Sequence, residues 1–428
     1  MRLQVRYAGK INNQISVPGD KSISHRAVML GALANGTTTV TNFLMGADCL
    51  SSIACFKKMG VEFGQPDKNT IIVKGNGLYG LREPDDVLDV GNSGTTIRLI
   101  MGILAGQSFF STLTGDASIR KRPMGRVAQP LLKMGAVIDG RQGGSLAPLS
   151  IRGGHLKPIE FISPVASAQV KSAVILAGLY AGGQTEIREP YKSRDHTERM
   201  LAYLGADIQV NDNIVKIMSG SNLEGKPVEV PGDISSAAFF MVAAAAIPGS
   251  RLTIKRVGIN PTRTGIIDVL RSMGTQIIIQ NEEEVNGEPV GDICVLGSEL
   301  KGTVIEGSLI PRLIDEIPVI TVAAAAALGE TIIRDAAELK VKESNRISAM
   351  TVELRKLGVN VDEFDDGMII HGGGKLNGAI CESHDDHRVA MSMAVAGLLA
   401  KGETVITNAE CIDISFPGFA EILNSLTY

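Results

Sequence analysis

Residues 18–27 read PGDKSISHRA and residues 231–240 read PGDISSAAFF, so the same three residues open two stretches that lie half a chain apart. In both copies Pro and Gly predict a turn, and the Asp can cap the helix that follows. The first copy continues with Lys21, His25 and Arg26, where the second has apolar residues. Since the second copy shows what capping and packing need, Lys21 and Arg26 exceed what the fold requires.

A repeated junction divides the rest of the chain. In five places an amphipathic helix stops at Gly, the residue that best tolerates the left-handed conformation after a helix, and an alternating strand follows. The five segments are KKMGVEF, LKMGAVI, AYLGADI, RSMGTQI and RKLGVNV, with glycines at 60, 135, 205, 274 and 358. An Ala-rich apolar helix and a strand precede each junction, and a sixth such pair follows His387. The chain therefore contains six repeats of helix, strand, helix and strand, of which the last lacks its junction.

The repeats predict an α/β (α+β repeat) fold of two globes. Helices that are apolar nearly all round are buried, so three repeats are expected to form one globular domain with internal helices and outer sheets. We predict one domain from residues 19–231 and a discontinuous one from residues 1–18 and 232–428, a division that suits a chain of 428 residues. The PGD copies fall where the chain would cross between domains, so we expect a hinge near Gly19 and Gly232.

Composition limits the partners. A net charge of −4 argues against a dedicated nucleic-acid binder, and the longest apolar run, residues 237–248, is too short to span a bilayer. Five cysteines without a CxxC pair fit thiols in a reducing cytoplasm better than disulfides or a zinc site. We therefore expect a cytoplasmic monomer that binds a small molecule, and neither nucleic acid nor a membrane.

Polar and charged side chains recur at the predicted helix starts of the first half. A helix N-terminus already favours anions, and Ser22 and Arg26 lie four apart on one face, so this start predicts a phosphate or carboxylate cradle. Gly94, in GNSGTTIR, leaves the backbone bare for close approach of a ligand. The other candidates are Lys21, Arg122 before a Pro, Ser167 and Gln169 at the third start, and Arg194 in KSRDHTER.

The second half adds acids to these cations. Asp315 and Glu316 precede a Pro and an apolar helix, where they can favour the helix dipole. Lys342, Glu343 and Arg346 are predicted to share one helical face by their spacing. Arg388 follows HDDH, residues 384–387, which resembles a metal cluster but has no recognisable spacing partner, so we expect no metal. If all these helix starts converge on one cleft, a single site collects them.

These blocks together resemble the 5-enolpyruvylshikimate-3-phosphate (EPSP) synthase family over essentially the whole chain. The blocks in family order are PGDKSISHR, GNSGTTIRL, KRPM, PVASAQVKSA, SRDHTE, PGDISSAAF, LIDEIPV, LKVKESNRI and DDHRVAM. The resemblance implies the enolpyruvyl transferase fold, with a two-strand hinge that closes over the substrates. It implies transfer of the enolpyruvyl group of phosphoenolpyruvate to the 5-hydroxyl of shikimate 3-phosphate through a tetrahedral ketal that expels phosphate. It also implies a place in the shikimate pathway to chorismate and aromatic amino acids, and inhibition by the phosphonate glyphosate.

The resemblance also implies roles for individual residues. Shikimate 3-phosphate would be bound by Lys21, Ser22, Arg26, Ser167, Gln169, Arg194, Asp315 and Lys342, and phosphoenolpyruvate by Lys21, Gly94, Arg122, Gln169, Arg346 and Arg388. Proton transfer needs an acid and a base in reach but no cofactor. We assign Asp315 as base to the hydroxyl, and Glu343 with Lys21 to the proton at phosphoenolpyruvate. Two positions depart from the family: Ala168 stands where many members have Ser, and Ile414 where many have Lys.

Three alternatives remain open at this point. The related transferase acting on UDP-N-acetylglucosamine carries a loop Cys and a Lys-Asn pair, whereas this chain has no Cys in the Arg122 loop and Lys-Ser at residues 21–22. A phosphate cyclase acting on RNA ends, with a related fold, would be expected to show a stronger basic surface. A non-catalytic repeat scaffold explains the repeats but leaves the cations of the first PGD copy without a role.

Overall fold

The computed structural model describes residues 1–426 and divides into two compact domains. Domain 1 comprises residues 19–230 and 285–288, and domain 2 comprises residues 1–18, 231–284 and 289 onward. This division differs from the expected ranges at Pro231 and in the short segment 285–288. Within the described part of the chain, no helix is both long and apolar enough to cross a membrane.

The helices alternate between buried and outer ones along each domain. In chain order they are α1 (Lys21–Leu33), α2 (Ala47–Lys58), α3 (Gly94–Ala105), α4 (Gly125–Met134), the short distorted α5 (Arg141–Gly144), α6 (Ala168–Gly178), α7 (His196–Tyr203), α8 (Ile234–Ala245), α9 (Gly265–Ser272), α10 (Ile317–Ala326), α11 (Arg346–Lys356), α12 (His387–Leu399) and α13 (Phe419–Ser425). The apolar helices α1, α3 and α6 are buried in the core of domain 1, and α8, α10 and α12 in the core of domain 2. This arrangement confirms the predicted internal helices.

The strands form six sheets within residues 1–426. In chain order they are β1 (Arg2–Arg6), β2 (Asn12–Ser16), β3 (Asn35–Thr41), β4 (Glu62–Gly64), β5 (Ile71–Asn76), β6 (Leu88–Asp89), β7 (Phe110–Thr114), β8 (Val137–Gly140), β9 (Leu146–Arg152), β10 (Glu160–Ile162), β11 (Gln184–Arg188), β12 (Ile208–Asn211), β13 (Ile214–Met218), β14 (Val228–Glu229), β15 (Arg251–Gly258), β16 (Gln276–Val285), β17 (Glu288–Leu296), β18 (Val304–Ile305), β19 (Glu330–Ile333), β20 (Asn360–Phe364), β21 (Gly367–His371), β22 (Ile380–Glu382) and β23 (Glu403–Thr407).

Each repeat builds one sheet by the same scheme. A short parallel edge strand pairs with the strand after the buried helix, as β6 pairs with β7, and the hairpin strands then add antiparallel to it in the order β7-β9-β8. The sixth sheet has the order β1-β23-β22, so the N-terminal strand takes the place of the hairpin, with Leu3 opposite Ile406. The chain start thereby completes the last repeat.

The five junction glycines adopt the predicted left-handed conformation. Their φ angles lie between +85° and +104°, at Gly60, Gly135, Gly205, Gly274 and Gly358. A side chain is strained at such angles, whereas Gly is not. The prediction that these glycines end the outer helices of the repeats is confirmed.

The two PGD copies mark an exchange of strands. Strand β2 precedes α1 in the chain but pairs with β15 of domain 2, and β14 precedes α8 but pairs with β3 of domain 1. Each crossing is followed at once by an Asp that caps a buried helix: Asp20 accepts from the Ile23 amide and Asp233 from the Ser235 amide. The shared PGD sequence therefore serves a shared task, which is to end a strand and start a buried helix.

Candidate active site

The start of α1 holds two cations in different surroundings. Lys21 is half-buried, with its Nζ 3.2 Å from Asp48 Oδ2. Arg26 is buried and donates to the Ser22 carbonyl (3.0 Å), to Ser172 Oγ (2.9 Å) and to a hydroxyl of α7, Thr197 Oγ1 (2.6 Å). Burial lowers the pKa of Arg26 to about 10, against the opposing charge of Glu198. Arg26 therefore stays charged at neutral pH, and Ser22 and Arg26 share a helix face as predicted.

The start of α3 is built around a residue without a side chain. Ser93 caps the helix by accepting from the Thr96 amide (3.1 Å), and Gly94 follows. A Cβ added at Gly94 would lie 3.0 Å from Arg98 Nη1 and 3.2 Å from Arg122 Nη1. Two guanidinium groups thus face the bare backbone at a helix N-terminus, an arrangement that favours binding of an anion.

Arg122 and Gln169 are both fixed by hydrogen bonds near this position. Arg122 is buried and donates from Nη2 to Asn92 Oδ1 (2.8 Å) and to Ser118 Oγ (3.2 Å). Gln169, in the first turn of α6, accepts from Arg98 Nη1 (2.5 Å) and donates to the hydroxyl of Thr95 (3.1 Å). The starts of α3 and α6 are therefore joined by side chains, and the structure brings Gly94, Arg122 and Gln169 together.

A buried cluster of ions holds the third helix start. Lys171 on α6 lies 2.8 Å from both Glu189 and Glu198, and all three side chains are 2% exposed. Glu189 also accepts from the amide of Ser167 (3.1 Å), the residue that caps α6, and from that of Ser193 (3.2 Å). Because Arg194 follows Ser193 directly, Glu189 holds two segments that carry predicted binding residues close to each other.

In domain 2 three carboxylates surround one buried guanidinium. Arg346, the first residue of α11, is 1% exposed and donates to Asp386 Oδ2 (2.8 Å), Asp315 Oδ1 (3.3 Å) and Glu343 Oε2 (2.6 Å). Burial by itself would lower the pKa of Arg346, but the charges of these acids, Asp386 first, raise it above its ordinary value. Asp315 and Glu343, the two acids expected to transfer protons, are therefore oriented by the fixed guanidinium of Arg346.

Two further cations lie beside Asp315. Arg388, in the first turn of α12, donates from Nη1 to the Asp315 carbonyl (3.0 Å), and Lys342 Nζ lies 3.8 Å from Asp315 Oδ1. Next to Asp315, Glu316 is fully buried and accepts from Ser235 Oγ at the start of α8. The structure thus brings together every predicted site residue of the second half.

One prediction about this group is wrong. Lys342 and Glu343 do not share a helical face with Arg346, because α11 begins only at Arg346 and is capped by Asn345. Both residues lie in the loop after the 3-10 turn Ala337–Val341. Glu343 still reaches Arg346, with Oε2 2.6 Å from Nη2, but it does so from the loop before the helix rather than from a shared helical face.

The HDDH stretch serves charge pairing and helix capping. Asp386 is buried, caps α12 by accepting from the Arg388 amide (2.9 Å), and pairs with Arg346. His384 lies 2.7 Å from Glu353 Oε1. In the part of the chain that the structure describes, no three His, Cys, Asp or Glu side chains are grouped so as to hold a metal ion.

Sequence reasoning missed several residues of these clusters. Asp386 was considered only as a metal ligand, although an Asp directly before a helix is also a capping signal. Asp48 beside Lys21, and Glu189, have no motif of their own. Their roles depend on contacts between segments far apart in the chain, which no local spacing reveals.

Comparison with known proteins identifies the family of the chain. The family model for EPSP synthase (3-phosphoshikimate 1-carboxyvinyltransferase) matches residues 5–423. A 3-phosphoshikimate 1-carboxyvinyltransferase of Pelotomaculum thermopropionicum is 60% identical over 99% of this chain and 98% of its own.

Solved structures of EPSP synthase and of another enolpyruvyl transferase also match the chain. The structure of EPSP synthase from Acinetobacter baumannii is 45% identical, with a TM-score of 0.89 over 99% of this chain and 98% of its own. The enolpyruvyl transferase NikO from Streptomyces tendae, 16% identical over 99% of this chain and 97% of its own, has a TM-score of 0.81 and supports the fold alone. The predicted fold and the predicted family are thereby confirmed, and the chain belongs to the EPSP synthase family.

Proposed function

We propose that residues of both domains carry out the family reaction, transfer of the enolpyruvyl group of phosphoenolpyruvate to the 5-hydroxyl of shikimate 3-phosphate with release of phosphate. The observation that carries this assignment is the pair of guanidinium groups facing Gly94 at the start of α3. A small anion fits there because guanidinium forks and bare helix amides both donate to phosphate and carboxylate oxygens.

Phosphoenolpyruvate is assigned to the anion site at the start of α3. In domain 1 it is held by Lys21, Gly94, Arg122 and Gln169, and in domain 2 by Arg346 and Arg388. Holding two polyanions side by side requires that several cations offset their repulsion. Arg122, Arg346 and Arg388 are each buried and fixed by hydrogen bonds, so they offer rigid rather than mobile charges.

Shikimate 3-phosphate is assigned to Lys21, Ser22, Arg26, Ser167, Gln169 and Arg194 in domain 1 and to Asp315 and Lys342 in domain 2. After burial, the charge of Arg194 also lowers the pKa of Arg26, and a phosphate dianion would relieve this repulsion. Ala168, the first residue of α6, supplies no hydroxyl at its position.

The chemistry proceeds by addition and elimination. Asp315 accepts the proton of the 5-hydroxyl as its oxygen bonds to C2 of phosphoenolpyruvate, while C3 gains a proton from Glu343 or Lys21. The resulting tetrahedral ketal loses a proton from C3 and expels phosphate. Carboxylates near C2 favour its developing positive charge. No metal or organic cofactor takes part, and the enzyme acts as a cytoplasmic monomer.

A calorimetric titration with shikimate 3-phosphate alone tests this assignment. Native protein is expected to bind it, and Arg194→Ala to bind about tenfold or more weakly, because a charged hydrogen bond contributes about 1.5–3 kcal/mol. The matched control is Arg188→Ala, which removes an exposed cation paired with Glu186 on β11. Absence of binding to native protein, or equal affinities for Arg194→Ala and the control, would contradict the assignment.

A further inference from the structure

A long hairpin links the two domains outside the PGD crossings. Strands β16 and β17 belong to a sheet of domain 2, but their connecting turn, residues 285–288, belongs to domain 1. The turn contains Asn286 (φ +51°) and Gly287 (φ +79°), and two left-handed residues of this kind make the tight two-residue turn that suits a twisted hairpin. The chain therefore crosses between domains at this hairpin as well as at the two PGD copies.

The hairpin is bent where it leaves the sheet. Arg256 on β15 and Asn281 on β16 both have φ near +50°, and the register of β15 with β17 breaks between Ile254 and Val257. Asp292 on β17 accepts from the Arg256 amide (2.9 Å) and from Asn281 Nδ2 (2.7 Å). One carboxylate thus bonds to both residues with left-handed backbone, one on β15 and one on the hairpin strand β16.

The tip is held in domain 1 by three polar contacts. Glu288 Oε1 lies 2.7 Å from His196 Nδ1, and these side chains are 7% and 3% exposed. The Gly287 carbonyl accepts from Arg199 Nη1 (2.8 Å), and Asn286 Nδ2 donates to the Glu229 carbonyl (2.8 Å). A buried, charge-assisted contact is among the stronger ones available to a loop.

Two of these contacts reach the segment that follows Arg194 in the chain. His196 is the first residue of α7, and Arg199 also donates from Nε to Asp195 Oδ1 (3.0 Å). One partner of the tip thus follows Asp195 directly and the other bonds to the Asp195 carboxylate, and Asp195 follows Arg194 in the chain. The charge of Glu288 also acts on Arg26, whose pKa it raises in opposition to burial.

We propose that Glu288 is a positioning residue for binding of shikimate 3-phosphate, presented to the start of α7 by the β16–β17 hairpin. Through His196 and Arg199 the tip fixes the backbone that carries Arg194. This inference rests on the proposed function, in which Arg194 and Arg26 bind that substrate, and it adds a residue that touches neither substrate. A side chain held in place before binding costs less entropy when the ligand arrives.

The test compares Glu288→Ala, Glu288→Gln and Arg194→Ala with a control, Glu284→Ala, an exposed carboxylate on the same hairpin. Each variant is measured for calorimetric affinity for shikimate 3-phosphate, for the KM of both substrates and for thermal unfolding. Glu288→Ala is expected to weaken shikimate 3-phosphate binding about tenfold, the usual size for one lost charge-assisted contact. Glu288→Gln keeps an acceptor for His196 and is expected to restore most of the affinity. The KM for phosphoenolpyruvate is expected to stay near its native value.

The possible failures are distinguishable. If Arg194→Ala weakens binding while Glu288→Ala lowers only the unfolding temperature, the inference is overturned and the proposed function stands. If Arg194→Ala leaves affinity unchanged, the proposed contact is overturned and the inference with it. Should Glu288→Ala fail to fold, Arg199→Ala removes the half-buried partner of the Gly287 carbonyl and must weaken binding in the same selective way.

Discussion

At the level of single residues, the candidate site depends on the absence of a side chain at Gly94. The space a Cβ would occupy is bounded by the Arg98 and Arg122 guanidinium groups at 3.0 and 3.2 Å, tighter than ordinary packing. Both groups are held by hydrogen bonds to Gln169 and Asn92, so they cannot retreat without breaking those bonds. A methyl group here would therefore press on both guanidinium groups and narrow the space proposed for the anion.

Gly94→Ala is expected to weaken inhibition by glyphosate more than it weakens use of phosphoenolpyruvate. Glyphosate is longer, and a single steric change in a fitted pocket discriminates by about 1–3 kcal/mol, or roughly ten- to two-hundredfold. Measuring the inhibition constant and the KM for phosphoenolpyruvate in both forms decides the point. If the inhibition constant and the KM changed by the same factor, Gly94 would not line the part of the site that binds glyphosate. Ile414 packs against the domain 2 core and brings no charge, which predicts modest sensitivity of the native enzyme.

The acids held by Arg346 give a second prediction at this scale. Asp315→Asn and Glu343→Gln are each expected to lower turnover by about a hundredfold or more, the usual size for a positioned acid or base. Asp365→Asn, at an exposed carboxylate paired with Lys340, is the control and should leave turnover unchanged. Steady-state rates at saturating substrates measure the effect. Near-native turnover in both variants would show that these carboxylates only neutralise Arg346.

At the scale of elements, the helix starts could be predicted because their signals are local. The caps at Asp20 and Ser167 fall on residues that were predicted as a cap and as a polar helix start. Lys342 and Glu343 were wrongly predicted to lie on the helix of Arg346. Helical spacing between residues is necessary for a shared helical face, but it does not show where the helix begins. The crossings at the two PGD copies were predicted, but the pairing of β2 with β15 and of β14 with β3 was not, because strand pairing joins segments far apart in the chain.

Contacts between elements set the remaining limits on prediction. Asn-Gly at 286–287 is a readable hairpin signal, but nothing local shows that the tip is bound in domain 1. The triad of Lys171, Glu189 and Glu198 joins α6 to α7, which are separated in the chain by the single strand β11. The sequence alone does not determine contacts between side chains on distant segments, whereas contacts along one helix follow from spacing.

One buried hydrogen-bond chain joins three helices of domain 1 and predicts a pH dependence of stability. His25 Nδ1 lies 2.8 Å from Ser52 Oγ on α2, which lies 2.8 Å from Thr96 Oγ1 on α3. Burial, followed by the charges of Lys21 and Arg26, lowers the pKa of His25 well below its usual range. Below about pH 6.5, His25 binds a proton in the unfolded chain but not in the folded protein. The free energy of unfolding therefore decreases as the pH falls.

His25→Asn is expected to flatten this part of the stability profile while keeping a partner for Ser52. The histidine contributes at most about 1.4 kcal/mol of lost unfolding free energy per pH unit below 6.5. Urea unfolding at pH 7.5 and pH 5 measures the loss, and His155→Asn, at an exposed histidine, is the control. Parallel profiles for native and His25→Asn protein would refute the assignment of His25 as neutral and buried.

At the scale of the whole molecule, the proposed substrate contacts come from both domains. Unliganded, the cations Arg122, Arg346 and Arg388 would repel one another if brought together, and the two substrates supply the opposing charge. We therefore expect the domains to close when both ligands bind, by rotation near Gly19 and Gly232. Small-angle scattering should show a smaller radius of gyration with both ligands than without. Superimposable profiles would count against closure.

The most direct test of the account is phosphate release by the purified native chain in the presence of a metal chelator. We expect release that requires shikimate 3-phosphate and phosphoenolpyruvate together and that continues at the same rate when the chelator is present, because the chemistry needs only fixed charges and proton transfer. Phosphate release from either substrate alone, none from the pair, or activity that returns only when a divalent ion is added would contradict it.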